Sequence, residues 1–157
     1  MFTIKVDDLS NPAVQALVAY HISCMLEQSP PESSHALDVQ KLRDPAVTFW
    51  SIWEGEHLAG IGALKLLDDK KHGELKSMRT APDFLRRGVA SLILRHILQI
   101  ADARGLQRLS LETGTQQGFA ACHQLYRKHG FVDCEPFADY QHDPHSRFMS
   151  LVLRGGK

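Results

Sequence analysis

Between Val89 and Ala101 apolar residues recur at the spacing of an α-helix, with Val89, Leu92, Ile93, Ile97, Ile100 and Ala101 on one face. Gly88 stands at the head of this stretch, and Gly105 sits where a C′ residue would end it. Strand-like runs flank the helix, residues 74–80 before it and 106–112 after it. A helix with a single apolar stripe set between strands reads as part of a mixed α/β domain.

The remaining pattern agrees. Residues 2–6 alternate as a strand, and Asn11-Pro12 supplies an N-cap and an N1 proline to a helix carrying Val14, Leu17, Val18, Ile22 and Met25. Residues 29–34 read as a loop, and a weaker helix with Ala36, Leu37 and Leu42 ends before Pro45. Residues 47–53 and 58–67 form strands joined at Glu54-Gly55-Glu56-His57 as an antiparallel hairpin, and residues 68–73 are a charged turn. Phe119, Cys122, Leu125 and Tyr126 mark a last helix ended by Gly130. Residues 131–134 and 148–153 are closing strands, and 154–157 are expected to fray. With no repeat or linker, residues 1–157 are expected to form a single domain.

Charge excludes several functions. Eighteen basic and eighteen acidic residues give a formal charge of zero, so no general field draws the chain to nucleic acid or to an anionic membrane. No apolar run is long enough to span a bilayer, and Lys5, Asp7 and Asp8 occupy the start where a signal peptide would be apolar. The three cysteines are odd in number and lack CxxC spacing, which fits a reducing, cytoplasmic setting. Among nine histidines the tightest cluster is His142-Asp143-Pro144-His145, where Pro144 opposes a helix; it reads as a solvated loop, and no metal is expected. His21 and His96 interrupt apolar helical faces and read as satisfied core or boundary histidines, while Phe49, Trp50 and Trp53 read as core.

The turn before the central helix, Leu85-Arg86-Arg87-Gly88-Val89-Ala90, is where chemistry could sit. A helix start carries unpaired N–H groups and partial positive charge, Gly88 removes a Cβ that would block an anion, and Arg86 and Arg87 add charge at the rim. An ordinary helix start with solvated arginines is the alternative. A Walker loop and a dinucleotide fingerprint are both excluded by the missing glycines. In the preceding strand Leu75 and Met78 are three apart, which breaks the period of two and suggests a bulge, or else a packing irregularity. Glu74 opens that strand as a candidate general base or a solvated strand-end carboxylate.

Together these segments resemble the GNAT superfamily of N-acetyltransferases. The family's acyl-CoA signature, Arg/Gln-x-x-Gly-x-Gly/Ala at the start of the central helix, is met at Gly88 and Ala90, with Leu85 as a departure. Ala121 through Tyr126 to Gly130-Phe131 is similar to the family's A-x-x-L-Y-x-x-x-G-F, and residues 111–114 and 139–149 resemble one branch of the family. The resemblance implies a mixed, mostly antiparallel sheet splayed between its fourth and fifth strands and flanked by helices. It implies that Arg86, Arg87, Gly88, Val89, Ala90 and Ser91 hold the pyrophosphate of acetyl-CoA, and that the backbone of Met78, Arg79 and Thr80 holds the pantetheine arm. It further implies that Tyr126 protonates the departing thiolate, with core packing as the alternative. Cys122, one turn before Tyr126, reads from its residue type as a small buried residue rather than a nucleophile. Free thiols titrate near ~8.5 and tyrosine near ~10, close enough for transfer within a hydrogen bond. A lysine-like amine is neutral in roughly one molecule in 2,500 at pH 7, so the Glu74 carboxylate or a water it holds is the expected proton acceptor. The expected reaction is acetylation of a primary amine on a small molecule by direct attack in a ternary complex. The acceptor would be selected by residues 11–43 and 140–148, and a homodimer stays open. A non-catalytic acyl-CoA-binding module and a protein or peptide N-acetyltransferase are the alternatives.

Overall fold

The computed structural model describes residues 2–28, 42–67, 71–114, 120–138, 140–141 and 146–153. Seven strands form one sheet in the order β1-β2-β3-β4-β5-β7-β6. They are β1 (Phe2–Val6), β2 (Val47–Glu54), β3 (His57–Leu66), β4 (His72–Thr80), β5 (Arg108–Gly114), β6 (Val132–Asp133) and β7 (Ser146–Val152). Every pairing is antiparallel except β4 with β5, which is parallel and connected through the central helix. The described helices are α1 (Pro12–Gln28), α2 (Val89–Ala103) and α3 (Ala120–Lys128), with a 3-10 turn at Pro82–Phe84 before α2. This is the expected single mixed α/β domain. Residues 29–41, which include Ala36 and Leu37 of the weaker helix, lie outside the described residues, as do 68–70, Phe119, 142–145 and the tail at 154–157.

The sheet has two covered faces. Ile93, Leu94, Ile97 and Ala101 of α2 pack with Trp50, Ile52, Leu64 and Leu75, and Tyr126 of α3 joins this cluster. On the opposite face Val14, Leu17 and Val18 of α1, with Leu42, pack against Phe49, Trp53, Ile61 and Ala63. The alternation of side chains along β2 and β3 thus sorts the core into two layers, one per helix.

Several strand limits differ from the sequence reading, for a shared reason. α2 ends with Gly105 at φ +77°, the Gly105 N–H bonded to the Asp102 carbonyl and the Leu106 N–H to the Ala101 carbonyl. α3 ends in the same way, with Gly130 at φ +97° and the Phe131 N–H bonded to the Tyr126 carbonyl. Both are Schellman caps, whose C″ residue carries an apolar side chain into the core. Leu106 and Phe131, each 1% exposed, therefore belong to helix caps, and the strands begin later, at Arg108 and Val132. At the other limits β4 starts two residues before Glu74, at His72, and β7 starts at Ser146.

Candidate active site

β4 and β5 are paired only from His72↔Arg108 to Leu75↔Leu111, and beyond that point they separate. Along its other edge β4 stays bonded to β3, but between Lys76↔Ala63 and Arg79↔Ile61 two residues of β4, Ser77 and Met78, lie opposite the single residue Gly62 of β3. This is the bulge that the Leu75–Met78 spacing predicts, and Ser77 within it takes φ +55°. The splay leaves the β5-facing backbone of β4 without a ladder partner after Leu75.

The split opens into a cavity of about 400 Å³, of a size that accommodates a small ligand. Glu74, Met78, Arg79, Thr80, Arg86, Gly88, Val89, Ala90, Ser91 and Tyr126 all line it, so the structure brings together most of the residues singled out in the sequence. Arg87 is the exception. Its guanidinium bonds the Glu54 carboxylate at 2.7 Å and lies over the rings of Phe84 and Phe2, which draws it away from the cavity. The expected rim charge is thus carried by Arg86 alone.

At the head of α2, Gly88 takes φ +80° and a Cβ there would project into open space. Arg86 takes φ +65°, a left-handed conformation uncommon for a side-chain-bearing residue, so the turn is held in a specific shape. The first helical bond runs from the Leu92 N–H to the Gly88 carbonyl, and no side chain caps the helix. The N–H groups of Val89, Ala90 and Ser91 therefore have no intrahelical acceptor, and their residues line the cavity.

The other end of the cavity is polar and largely buried. Glu74 is 3% exposed, which overturns the reading of it as a solvated strand-end carboxylate. Its Oε2 accepts from the Lys76 ammonium at 2.9 Å and from the Tyr140 hydroxyl at 2.5 Å, and Lys76 Nζ also reaches the Tyr140 oxygen at 3.0 Å. The Lys76 ammonium offsets the cost of burying this charge. Burial first, and the Glu74 charge second, push the Tyr140 hydroxyl well above the ordinary tyrosine range, so it remains a donor. Glu112 also lines the cavity and accepts a hydrogen bond from Ser146 at 2.8 Å.

Tyr126 is 7% exposed, its ring tilted against Phe131. Desolvation, then the neighbouring Cys122, raise its hydroxyl pKa well above the usual value, and the Arg79 charge acts in the opposite direction. Cys122 lies on the cavity wall and is exposed, which corrects the expectation of a buried residue; the buried stripe of α3 is His123 and Tyr126. His21 of α1 is buried, as a satisfied histidine should be, yet it lines the same cavity and accepts a 3.0 Å hydrogen bond from Arg79 Nε. Lys76, the Arg79 side chain, Tyr140 and Glu112 are the site residues that sequence reasoning did not assign individually. Of the 140–148 segment expected to select the acceptor, Tyr140 lines the cavity among the described residues. Among the described residues no group of three or more His, Cys, Asp or Glu could hold a metal, and no helix is long and apolar enough to cross a membrane.

Known proteins resemble this chain in sequence and in architecture. The acetyltransferase (GNAT) family profile matches residues 14–131. The chain is 84% identical over 153 residues to N-acetyltransferase YedL of Escherichia coli (strain K12), covering 98% of this chain and 96% of that protein. A Klebsiella pneumoniae crystal structure described as an acyl-CoA N-acyltransferase superposes with a TM-score of 0.77 at 27% identity, covering 98% of each chain. A Bacillus subtilis acetyltransferase solved in complex with CoA shares the fold with a TM-score of 0.68 at 15% identity, covering 98% of this chain and 99% of that one.

Proposed function

This chain belongs to the acetyltransferase (GNAT) family and is an acetyl-CoA-dependent N-acetyltransferase, and from that premise we propose that it acetylates the primary amine of a small molecule in the cytoplasm, by direct attack within a ternary complex. The observation that carries this reading is the splay between β4 and β5, which opens one cavity to both faces of the sheet. A donor and an acceptor entering from opposite faces would meet in the split, with no covalent enzyme intermediate required.

The residues fit the donor. Free N–H groups at Val89, Ala90 and Ser91, the open Cβ position of Gly88 and the charge of Arg86 suit a pyrophosphate at the α2 face. The unladdered backbone of Met78, Arg79 and Thr80 suits the amide groups of the pantetheine arm, which would add to β4 like a strand. When bound, acetyl-CoA supplies the thioester carbonyl that the amine attacks.

On the α1 face, Glu74 Oε1 is left for the incoming amine, because both of the carboxylate's hydrogen bonds use Oε2. In this reading the amine nitrogen bonds to the thioester carbon, the amine proton passes to Glu74 Oε1 directly or through water, and the C–S bond breaks. Tyr126 gives its proton to the leaving sulfur. Burial raises the tyrosine pKa, so the hydroxyl is held protonated and able to donate. Arg79 favours the phenolate so formed.

Thiol release from acetyl-CoA across amines, amino acids, polyamines and peptides tests this. Turnover with small amines and a Glu74→Gln profile displaced to higher pH, where more of the amine is already neutral, are expected. Turnover with peptides alone would assign a protein-modifying enzyme. CoA binding without thiol release for any acceptor would assign a binding module.

A further inference from the structure

Arg79 is a cation in the cavity wall with no carboxylate partner among the described side chains. Its Nε is committed to His21 Nδ1 at 3.0 Å, and its guanidinium carbon lies 5.8 Å from the centre of the Tyr20 ring. An imidazole that accepts from Nε fixes the plane of the guanidinium and leaves both terminal nitrogens for a ligand. His21 can accept only while neutral, and its pKa is held down to about 3, by burial first and by the Arg79 charge second.

The face on which this cation sits identifies its ligand. Met78 packs on the α2 side of the sheet with Ile93 and Ile97, whereas Arg79, the next residue of the strand, turns to the α1 side and meets Tyr20 and His21. The α2 helix start therefore lies across the sheet from Arg79, which places this charge away from the proposed pyrophosphate. The α1 side also carries Glu74, Lys76, Tyr140 and Glu112. Lys76 is matched to Glu74, so the two ends of this face differ among the described side chains: carboxylates beside Tyr140, and a guanidinium with no carboxylate partner beside His21.

Resting on the acetyl-transfer reading above, we propose that the acceptor is an amine bearing a carboxylate, with Arg79 binding the carboxylate, His21 positioning Arg79, and the amine lying toward Glu74. A bidentate guanidinium–carboxylate contact in a partly desolvated cavity is among the stronger charge-assisted pairs, and a face polarised in this way opposes a polyamine.

The test pairs each L-amino acid, and a set of longer ω-amino acids, with its own carboxamide. kcat/KM for acetylation is measured for each pair, and the CoA-loaded protein is titrated calorimetrically with the same compounds. The wild type is expected to favour at least one acid over its amide tenfold or more. Arg79→Gln, which keeps the backbone contribution of β4, should bring that acid-to-amide ratio close to one. His21→Asn, which retains an acceptor for Nε, should preserve the ratio better than His21→Leu. Equal or better turnover of the amides overturns the inference and leaves acetyl transfer standing. A ratio unchanged in Arg79→Gln while both rates fall also overturns it, because the charge then acts on the reacting atoms. If no acceptor releases thiol, the functional reading fails, and the titration still decides this inference: acids that bind no tighter than their amides overturn it.

Discussion

Acid should weaken this fold through His21. In the unfolded chain a histidine takes up its proton as the pH falls through its ordinary value of 6.5, whereas the folded protein resists until about pH 3. Over that window the unfolded state binds the extra proton, so stability present above pH 6.5 is lost progressively as the pH drops toward 3. At pH 4.5, two units below the unfolded value, the loss is about 3 kcal/mol at 1.36 kcal/mol per unit. That is a sizeable part of the roughly 5–15 kcal/mol that holds a typical domain together. The physical source is the burial of His21 beside Arg79: a protonated ring would be desolvated, would face a like charge and would lose its role as acceptor for Nε. Urea unfolding at pH 7.5 and pH 4.5 measures the effect in the wild type and in His21→Asn. Carboxylate contributions to the acid loss are common to both proteins and cancel in the comparison. His21→Asn should lose about 3 kcal/mol less than the wild type over the interval. Equal losses in the two proteins would show that His21 does not carry the acid sensitivity.

Gly88→Asp adds a side chain at φ +80° and a negative charge at the α2 start, so calorimetry should show CoA affinity falling by about two orders of magnitude or more in a folded protein, as for like charges brought close together. Arg86 and Arg87 should behave differently although adjacent: Arg86→Ala should weaken CoA binding and flatten its salt dependence, while Arg87→Ala, whose partner is Glu54 on an exposed surface, should leave the salt slope intact.

The parts of this structure legible in the sequence are those written in local periodicity. The Leu75–Met78 spacing announced the bulge, and the stripe of α2 and its flanking glycines announced the helix and its ends. Leu106 and Phe131 misled because an apolar C″ residue of a Schellman cap looks like the first residue of a strand when it follows a glycine. The polar end of the site was not legible for a different reason. Arg79 meets His21 across 58 residues, and Glu74 meets Tyr140 across 66, so neither pair leaves a local trace. Glu74 thus reads from sequence as either a general base or a solvated strand-end carboxylate, and His21 as an ordinary interruption of an apolar face. In Arg87, one residue from a cavity-lining arginine, the deciding contact is Glu54 at the end of β2. Adjacent arginines of equal charge acquire different roles from partners that only the fold supplies.

Tyr126→Phe separates a catalytic split between β4 and β5, in which Tyr126 protonates the leaving thiolate, from a cleft that only binds CoA. The substitution keeps the ring that packs against Phe131 and removes only the hydroxyl. A positioned proton donor contributes about 10²–10⁴ in rate, so thiol release at saturating acetyl-CoA should fall by that factor while the Kd for CoA stays within about twofold of the wild type. Turnover within a few-fold of the wild type, in a variant that binds CoA normally, would return Tyr126 to the core as a packing residue.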